Sequence, residues 1–279
     1  MHSYARADLS FDVLDAGPLD AQPVVLLHGF PATRLSWEAV VPTLVGAGYR
    51  VLAPDQRGYS PGAQPTGRRA YRMGELVDDV LALGEAAGTD RFHLVGHDWG
   101  GAVAWALAAR EPQVLRSLTV IGTPHPRALQ RALSGSTQAL RSSYMLFFQL
   151  PWLPERVLSM FGARLGAWWL TRSGLAEERA LTYLRTLGAR RALTPALAWY
   201  RALPFDLVSA AAVGPIPVRT LYVWPTEDVA FSPAAAEDTA RWVTGSYRFE
   251  VLTGVSHWVP EAAPDALTGL LVEHLSASP

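Results

Sequence analysis

The chain predicts an α/β fold with a mostly parallel central sheet, helices on both faces, and a helical segment inserted between two late strands. Three observations predict it. Short apolar runs alternate with stretches of helical apolar spacing over residues 23–121 and again over 218–275. The strand-like runs are nearly continuous hydrophobic segments, as strands buried on both faces are. From 127 to 212 that rhythm stops: Leu, Ala, Arg and aromatics recur at helical spacing, punctuated by Pro151, Pro154 and Pro195. The expected organisation is a core of residues 1–126 and 213–279, with residues 127–212 as a helical cap.

Taken in order, Leu9–Leu14 alternates weakly and reads as an early strand. The stretch Pro23–Pro31 reads as a buried strand stopped by Gly29 and Pro31. Trp37–Ala47 has helical spacing, and Tyr49–Pro54 is the next strand, entering a Gly/Pro-rich loop from Tyr59 to Thr66. Met73–Ala87 repeats Leu76, Val80 and Leu83 on one helical face. Phe92–Val95 is a strand followed by a helix through Ala102–Ala109, and Leu115–Ile121 is a strand again. After the inserted segment come a strand at Val218–Trp224, a helix at Ala234–Val243, a strand at Tyr247–Leu252 and a helix at Pro264–Leu275.

Composition narrows the function. The 279 residues are 49% hydrophobic with ten tryptophans, enough for a large core and against disorder. A net charge of −1 with scattered arginines does not suit nucleic acid or a membrane surface. There is no lysine, which excludes Schiff-base chemistry and a lysine-dependent phosphate loop. There is no cysteine, which excludes disulfides, thiolate metal sites and cysteine nucleophiles. The first residues, Met1–Asp8, lack the basic-then-apolar pattern of a signal peptide, and no run approaches a membrane span. A cytoplasmic location is the expectation.

The chemistry is expected around Gly96-His97-Asp98-Trp99-Gly100, a small-x-nucleophile-x-small turn between a strand and a helix, with aspartate at its tip. Glycines at both shoulders remove Cβ atoms that would clash in so sharp a turn. The following helix aims its N-terminal N–H groups and dipole at the tip, where a carboxylate or an oxyanion is favoured. The bland alternative is an ordinary turn in which Asp98 caps the helix. Two further strand ends carry candidates, in the order acid then histidine: Thr226-Glu227-Asp228 and Gly254-Val255-Ser256-His257. Asp228 is the expected acid with Glu227 as its rival, and Pro225 interrupts the start of that loop. His257 is the expected base, whereas His93, His125 and His274 read as structural. At His28-Gly29-Phe30-Pro31, the backbone N–H of Phe30 can converge with that of Trp99 on one oxygen.

These motifs, together with Asp55-Gln56-Arg57-Gly58-Tyr59 and Gly254–Trp258, resemble the α/β-hydrolase superfamily over nearly the whole chain. More narrowly, the chain is similar to the α/β-hydrolase-fold epoxide hydrolases. Tyr144–Pro151 resembles that family's first lid-tyrosine segment and Trp199-Tyr200-Arg201 its second. The resemblance implies that Asp98 attacks an epoxide carbon to give an aspartyl ester. Tyr144 and Tyr200 then hold the leaving oxygen, a task that suits a phenol, neutral at pH 7 and able to share its proton. His257, oriented by Asp228, activates the water that hydrolyses the ester, with the oxyanion on the Phe30 and Trp99 amides. The substrate pocket is expected against Phe30, Trp99, Phe148 and Trp258. No cofactor and no metal are expected. The partners are a small-molecule epoxide and water, with neither nucleic acid nor membrane, and the chain is a monomer or homodimer.

The nearest alternative is a haloalkane dehalogenase, which uses the same aspartate and histidine but binds halide through N–H donors. Trp99 and the lid tryptophans Trp152, Trp168, Trp169 and Trp199 are its candidate donors, while Phe30 stands where many such enzymes carry asparagine. Haloacid defluorination lacks arginines after Asp98, and a serine esterase lacks the serine. A ligand receptor on an inactive scaffold is opposed by the complete set of nucleophile, base and acid.

Overall fold

Eight strands form one sheet: β1 (Ser3–Arg6), β2 (Leu9–Ala16), β3 (Pro23–Leu27), β4 (Arg50–Pro54), β5 (Phe92–His97), β6 (Leu115–Ile121), β7 (Thr220–Glu227) and β8 (Tyr247–Ser256). The spatial order is β1-β2-β4-β3-β5-β6-β7-β8. β1, β2 and β4 pair antiparallel, and every pair from β4 to β8 is parallel. The computed structural model describes residues 1–211 and 213–277, with the backbone alone over 207–211. Ala212, the last residue of the expected cap, and Ser278 and Pro279 of the expected core lie outside the described residues.

Alternation along the strands builds two cores. Val25, Leu27 and Leu94 face one side with Trp105 and Leu107, while Val24, Leu26, Val95 and Ile121 face the other with Trp37 and Leu271. The helices covering these faces are α1 (Val41–Gly46), α2 (Met73–Ala86) and α3 (Trp99–Arg110). Later in the chain come α11 (Pro233–Asp238), α12 (Val259–Ala262) and α13 (Pro264–Ser276). Between β6 and β7 the chain runs through α4 (Pro126–Gly135), α5 (Gln138–Arg141), α6 (Tyr144–Phe148), α7 (Leu153–Ser159), α8 (Arg164–Thr171), α9 (Glu177–Ala189) and α10 (Leu193–Ala211). Among the described residues, no helix is long and apolar enough to cross a membrane.

Several boundaries differ from the sequence reading for physical reasons. β1 was not expected; it is a four-residue strand that pairs with β2 through a turn at Ala7, whose φ is 52°. The expected helix Trp37–Ala47 is a 3₁₀ turn at Arg34–Trp37 followed by α1, because Pro42 lacks an N–H and starts a helix afresh. The expected helix Ala234–Val243 divides likewise into α11 and a 3₁₀ turn at Thr239–Trp242. β7 starts at Thr220 rather than Val218 and runs past Pro225 to Glu227, with a register shift between those two. Such an irregularity is where a strand accommodates proline.

Candidate active site

The carboxyl ends of β3, β5, β7 and β8 meet at one edge of the sheet, where open α/β sheets gather ligands. Asp98 sits at the tip between β5 and α3 with φ 51° and ψ −119°. That backbone costs about 1–3 kcal/mol. The shoulders must be glycine: a Cβ on Gly96 would lie 2.2 Å from the Gly100 carbonyl oxygen, and one on Gly100 would lie 2.2 Å from that of Leu27. The Asp98 side chain makes no N-cap bond to the second or third amide of α3, which leaves the carboxylate available to other partners. Its Oδ2 accepts the Phe30 N–H at 2.9 Å, and the Trp99 N–H also bonds the carboxylate.

Phe30 is held there by His28. The His28 Nε2 accepts the Gln56 N–H at 3.2 Å and its Nδ1 lies 3.0 Å from the Gly29 oxygen, so the proton is on Nδ1. Gln56 Nε2 donates in turn to the His28 carbonyl at 2.6 Å. Burial keeps His28 neutral by lowering its pKa. This explains why Asp55-Gln56-Arg57 belongs to the motif set: it fixes the turn whose amide faces Asp98.

His257 follows β8 and places Nε2 3.7 Å from Asp98 Oδ1, with Nδ1 3.0 Å from Asp228 Oδ2. The other oxygen of Asp228 accepts the N–H groups of Ala230 (2.7 Å) and Phe231 (3.0 Å). Glu227, the rival acid, points to solvent. His257 is opposed as a cation by its burial, but the Asp228 and Asp98 carboxylates outweigh this and raise its pKa to about 9. Burial raises the Asp98 pKa in turn, while His257 and the two backbone amides pull it back.

Tyr144 opens α6 and Tyr200 lies within α10. Their ring centroids are 6.1 Å apart, and the Trp99 ring stands edge-on to that of Tyr200 at 5.0 Å. Burial, then the nearby Asp98 charge among other causes, pushes both phenols above the ordinary range, so both remain protonated donors. α6 has only five residues and cannot hold itself. Arg201, beside Tyr200, does so: it donates to the carbonyls of Phe148 (3.0 Å) and Leu150 (2.7 Å) and pairs with Glu155 at 2.6 and 2.9 Å. Gln149 returns a bond to the Tyr200 carbonyl at 2.7 Å.

Asp98, His257, Tyr144 and Tyr200 share a cavity of about 310 Å³, walled also by Phe30, Trp169, Leu170, Val229 and Trp258. A separate match confirms what the geometry suggests: a family profile described as "alpha/beta hydrolase fold" covers residues 22–264. The chain belongs to the α/β-hydrolase fold family. Within the family its likeness is to epoxide hydrolases. It is 35% identical over 277 residues to the AB hydrolase superfamily protein YfhM of Bacillus subtilis, covering 96% of this chain and 94% of that protein. It is 31% identical over 283 residues to human epoxide hydrolase 4, covering 97% of this chain and 77% of that one. The crystal structure of epoxide hydrolase A from Mycobacterium thermoresistibile superposes with a TM-score of 0.83 at 26% identity, covering 98% of this chain and 97% of that one.

In this α/β-hydrolase, two expected pocket residues lie elsewhere. Trp99 packs against Tyr200 and Trp199, and Phe148 lines a second cavity of about 290 Å³ within the helical segment. Both are helical side chains whose direction depends on how α3, α6 and α10 cross, which spacing alone does not give. Phe30 and Trp258 do line the reaction cavity. Trp169, one of the lid tryptophans considered as halide donors, also lines it, whereas sequence reasoning missed Leu170, Arg172, Ser173, Val229 and Ala230, which reach the cavity only through tertiary packing. It also missed two supports. His97 Nε2 lies 2.8 Å from the His257 carbonyl, and Gln138 ties the Asp228 loop by donating to Ala230 and accepting from Ser232, both at 2.8 Å. His93, His125 and His274 have structural places, as expected. His93 bonds Ser117 at 2.8 Å, His125 caps α4, and His274 is buried in α13.

Proposed function

We propose that the protein hydrolyses an organic epoxide to a vicinal diol through an ester on Asp98. The observation that carries the reading is one cavity bearing a buried carboxylate and, with it, two phenols whose rings lie 6.1 Å apart. A carboxylate attacks carbon in line, and neutral phenols receive the oxygen that leaves as charge builds on it. Tyr144 and Tyr200 take that role. His257, oriented by Asp228, then removes a proton from water, which attacks the ester carbonyl. The oxyanion forms where the Phe30 amide already holds Oδ2, with the Trp99 amide next to the carboxylate, so the donors need little reorganisation. Release of diol restores the carboxylate. In this reading residues 127–212 act as a lid whose opening admits substrate and whose closure excludes water.

A dehalogenase needs N–H donors for halide, and of the two tryptophans that line the cavity Trp258 is engaged with Ser173 at 2.9 Å, which leaves Trp169 as the donor that reading would use. The Trp199 ring donates to the Arg57 carbonyl at 2.8 Å, away from the cavity, and no second free indole donor stands beside Trp169 among the cavity's described residues, whereas two phenols do. The test is His257→Gln protein incubated with a panel of small epoxides and haloalkanes. Intact mass is expected to show an epoxide adduct, mapped by peptide fragmentation to Asp98. Adducts from haloalkanes alone, or epoxide turnover without any Asp98 adduct, would overturn the reading.

A further inference from the structure

The walls of the reaction cavity are apolar or aromatic apart from the reacting groups, Ser173 and one cation, Arg172. Asp98 and His257 are buried at the floor, whereas Trp169 and Val229 are 38% and 46% exposed and mark the mouth. Arg172 is exposed on that same rim, just past the end of α8. Its guanidinium lies over the Trp168 ring at 5.0 Å, and no carboxylate among the described residues lies within ion-pair distance of it. Stacking orients a guanidinium while leaving its edge N–H groups available, in a fork that matches a carboxylate. The hydroxyl of neighbouring Ser173 is already committed, donating to Leu170 at 2.6 Å and accepting from Trp258 at 2.9 Å.

Resting on the epoxide hydrolase reading, we propose that the substrate is a short epoxy carboxylate. Its ring lies at Asp98 and its carboxylate meets Arg172 at the mouth. The size of the cavity supports a short molecule, since about 310 Å³ is at the small end of ligand pockets. The charge of the lining supports an anion. The sole carboxylate on the wall, Asp98, is at the floor facing His257, and Trp169, Val229, Ala230 and Trp258 place no acid beside Arg172. The competing role for Arg172 is a cation at a helix C-terminus, which contributes to stability and is indifferent to substrate charge.

The experiment compares a short epoxy carboxylate with its primary amide, the neutral isostere, in wild type and Arg172→Gln. The wild type is expected to favour the acid in kcat/KM by on the order of tenfold, a charge-assisted pair discounted for solvent exposure. That preference should shrink with added salt. In Arg172→Gln the acid-to-amide ratio should fall to near one, and in Arg172→Glu below one. A wild-type ratio near one, or a ratio unchanged in the variants while the melting temperature drops, would overturn the proposal. The saturated acid and amide, competed against each other by calorimetry in the same proteins, read Arg172 without turnover. If no epoxide reacts but the acid still binds better through Arg172, the epoxide reading fails and the anion site stands.

Discussion

Gly29→Ala tests the placement of the nucleophile more directly than removing the nucleophile itself. A Cβ at residue 29 would meet the Cβ and Oδ2 of Asp98, each at 2.4 Å, and its Cγ at 2.8 Å. Carbon atoms in contact settle at about 3.5–4.0 Å, so the carboxylate or the loop must retreat by roughly 1 Å. Gly29 is not in the left-handed region, so alanine acts through this contact and not through backbone strain. Phe30, the next residue, donates to the same carboxylate at 2.9 Å, and the retreat of either partner disturbs that bond. A misplacement of about 1 Å costs on the order of 10² in rate, about 2.7 kcal/mol of barrier. Overpacking costs a further 1–3 kcal/mol of stability, by the usual range of about that size. The assay is the rate of adduct formation in a His257→Gln background, followed by intact mass, with melting temperature as the check on folding. Gly74→Ala is the control, because nothing lies within 4 Å of a Cβ there, and it should be neutral or mildly stabilising. A folded Gly29→Ala protein that forms adduct at the parent rate would refute the geometry of attack.

Three further outcomes are expected. Tyr144→Phe and Tyr200→Phe should each slow ring opening by about 10²-fold, the double change should leave none measurable, and circular dichroism should be unaltered; normal turnover in the double variant would remove the phenols from the mechanism. Arg201→Leu leaves Glu155 and two carbonyls without their partner, which should cost about 3 kcal/mol, or roughly 6–9 °C in calorimetry, with Arg201→Lys intermediate because it lacks the fork. His257 carries a folded pKa of about 9 against an ordinary 6.5, so its contribution to stability is full below pH 6.5 and lost as pH rises through 9. Melting temperature should decline over that window, and a decline of the same size in Asp228→Asn would show that the Asp228 carboxylate is not its source.

What the sequence made legible was local. Asp98 was readable because the strand, the flanking glycines and the helix sit within a few residues of one another, and His257 because it follows a strand end. Asp228 was readable as the acid by its place after a strand, but the ground for preferring it to Glu227 is tertiary: Asp228 is buried at the sheet edge with His257 and Glu227 is exposed. Apolar spacing runs unbroken over Trp37–Ala47 and so hides the break that Pro42 imposes on the backbone. Arg172 and Val229 carried no signal at all. They come from the end of α8 and the loop after β7, and only packing of the helical segment over the sheet brings them to one cavity.

The charges around His257 also account for the order of the proposed steps. In the resting site the imidazole faces two carboxylates, and the pKa of about 9 keeps it protonated at neutral pH. A protonated ring cannot act as a base, so the resting enzyme does not activate water prematurely. The same cation favours the ionised form of Asp98, which its burial opposes. In the proposed reaction, attack on the epoxide would turn Asp98 into a neutral ester and create an alkoxide at the phenols. One of the two carboxylates holding the proton on His257 has then vanished, and a strong base has appeared in the same cavity. Both changes drive that proton off the ring and onto the new hydroxyl. His257 becomes a neutral base at the moment an ester exists for water to attack, while Asp228, untouched by the chemistry and bonded at 3.0 Å, keeps the ring in place.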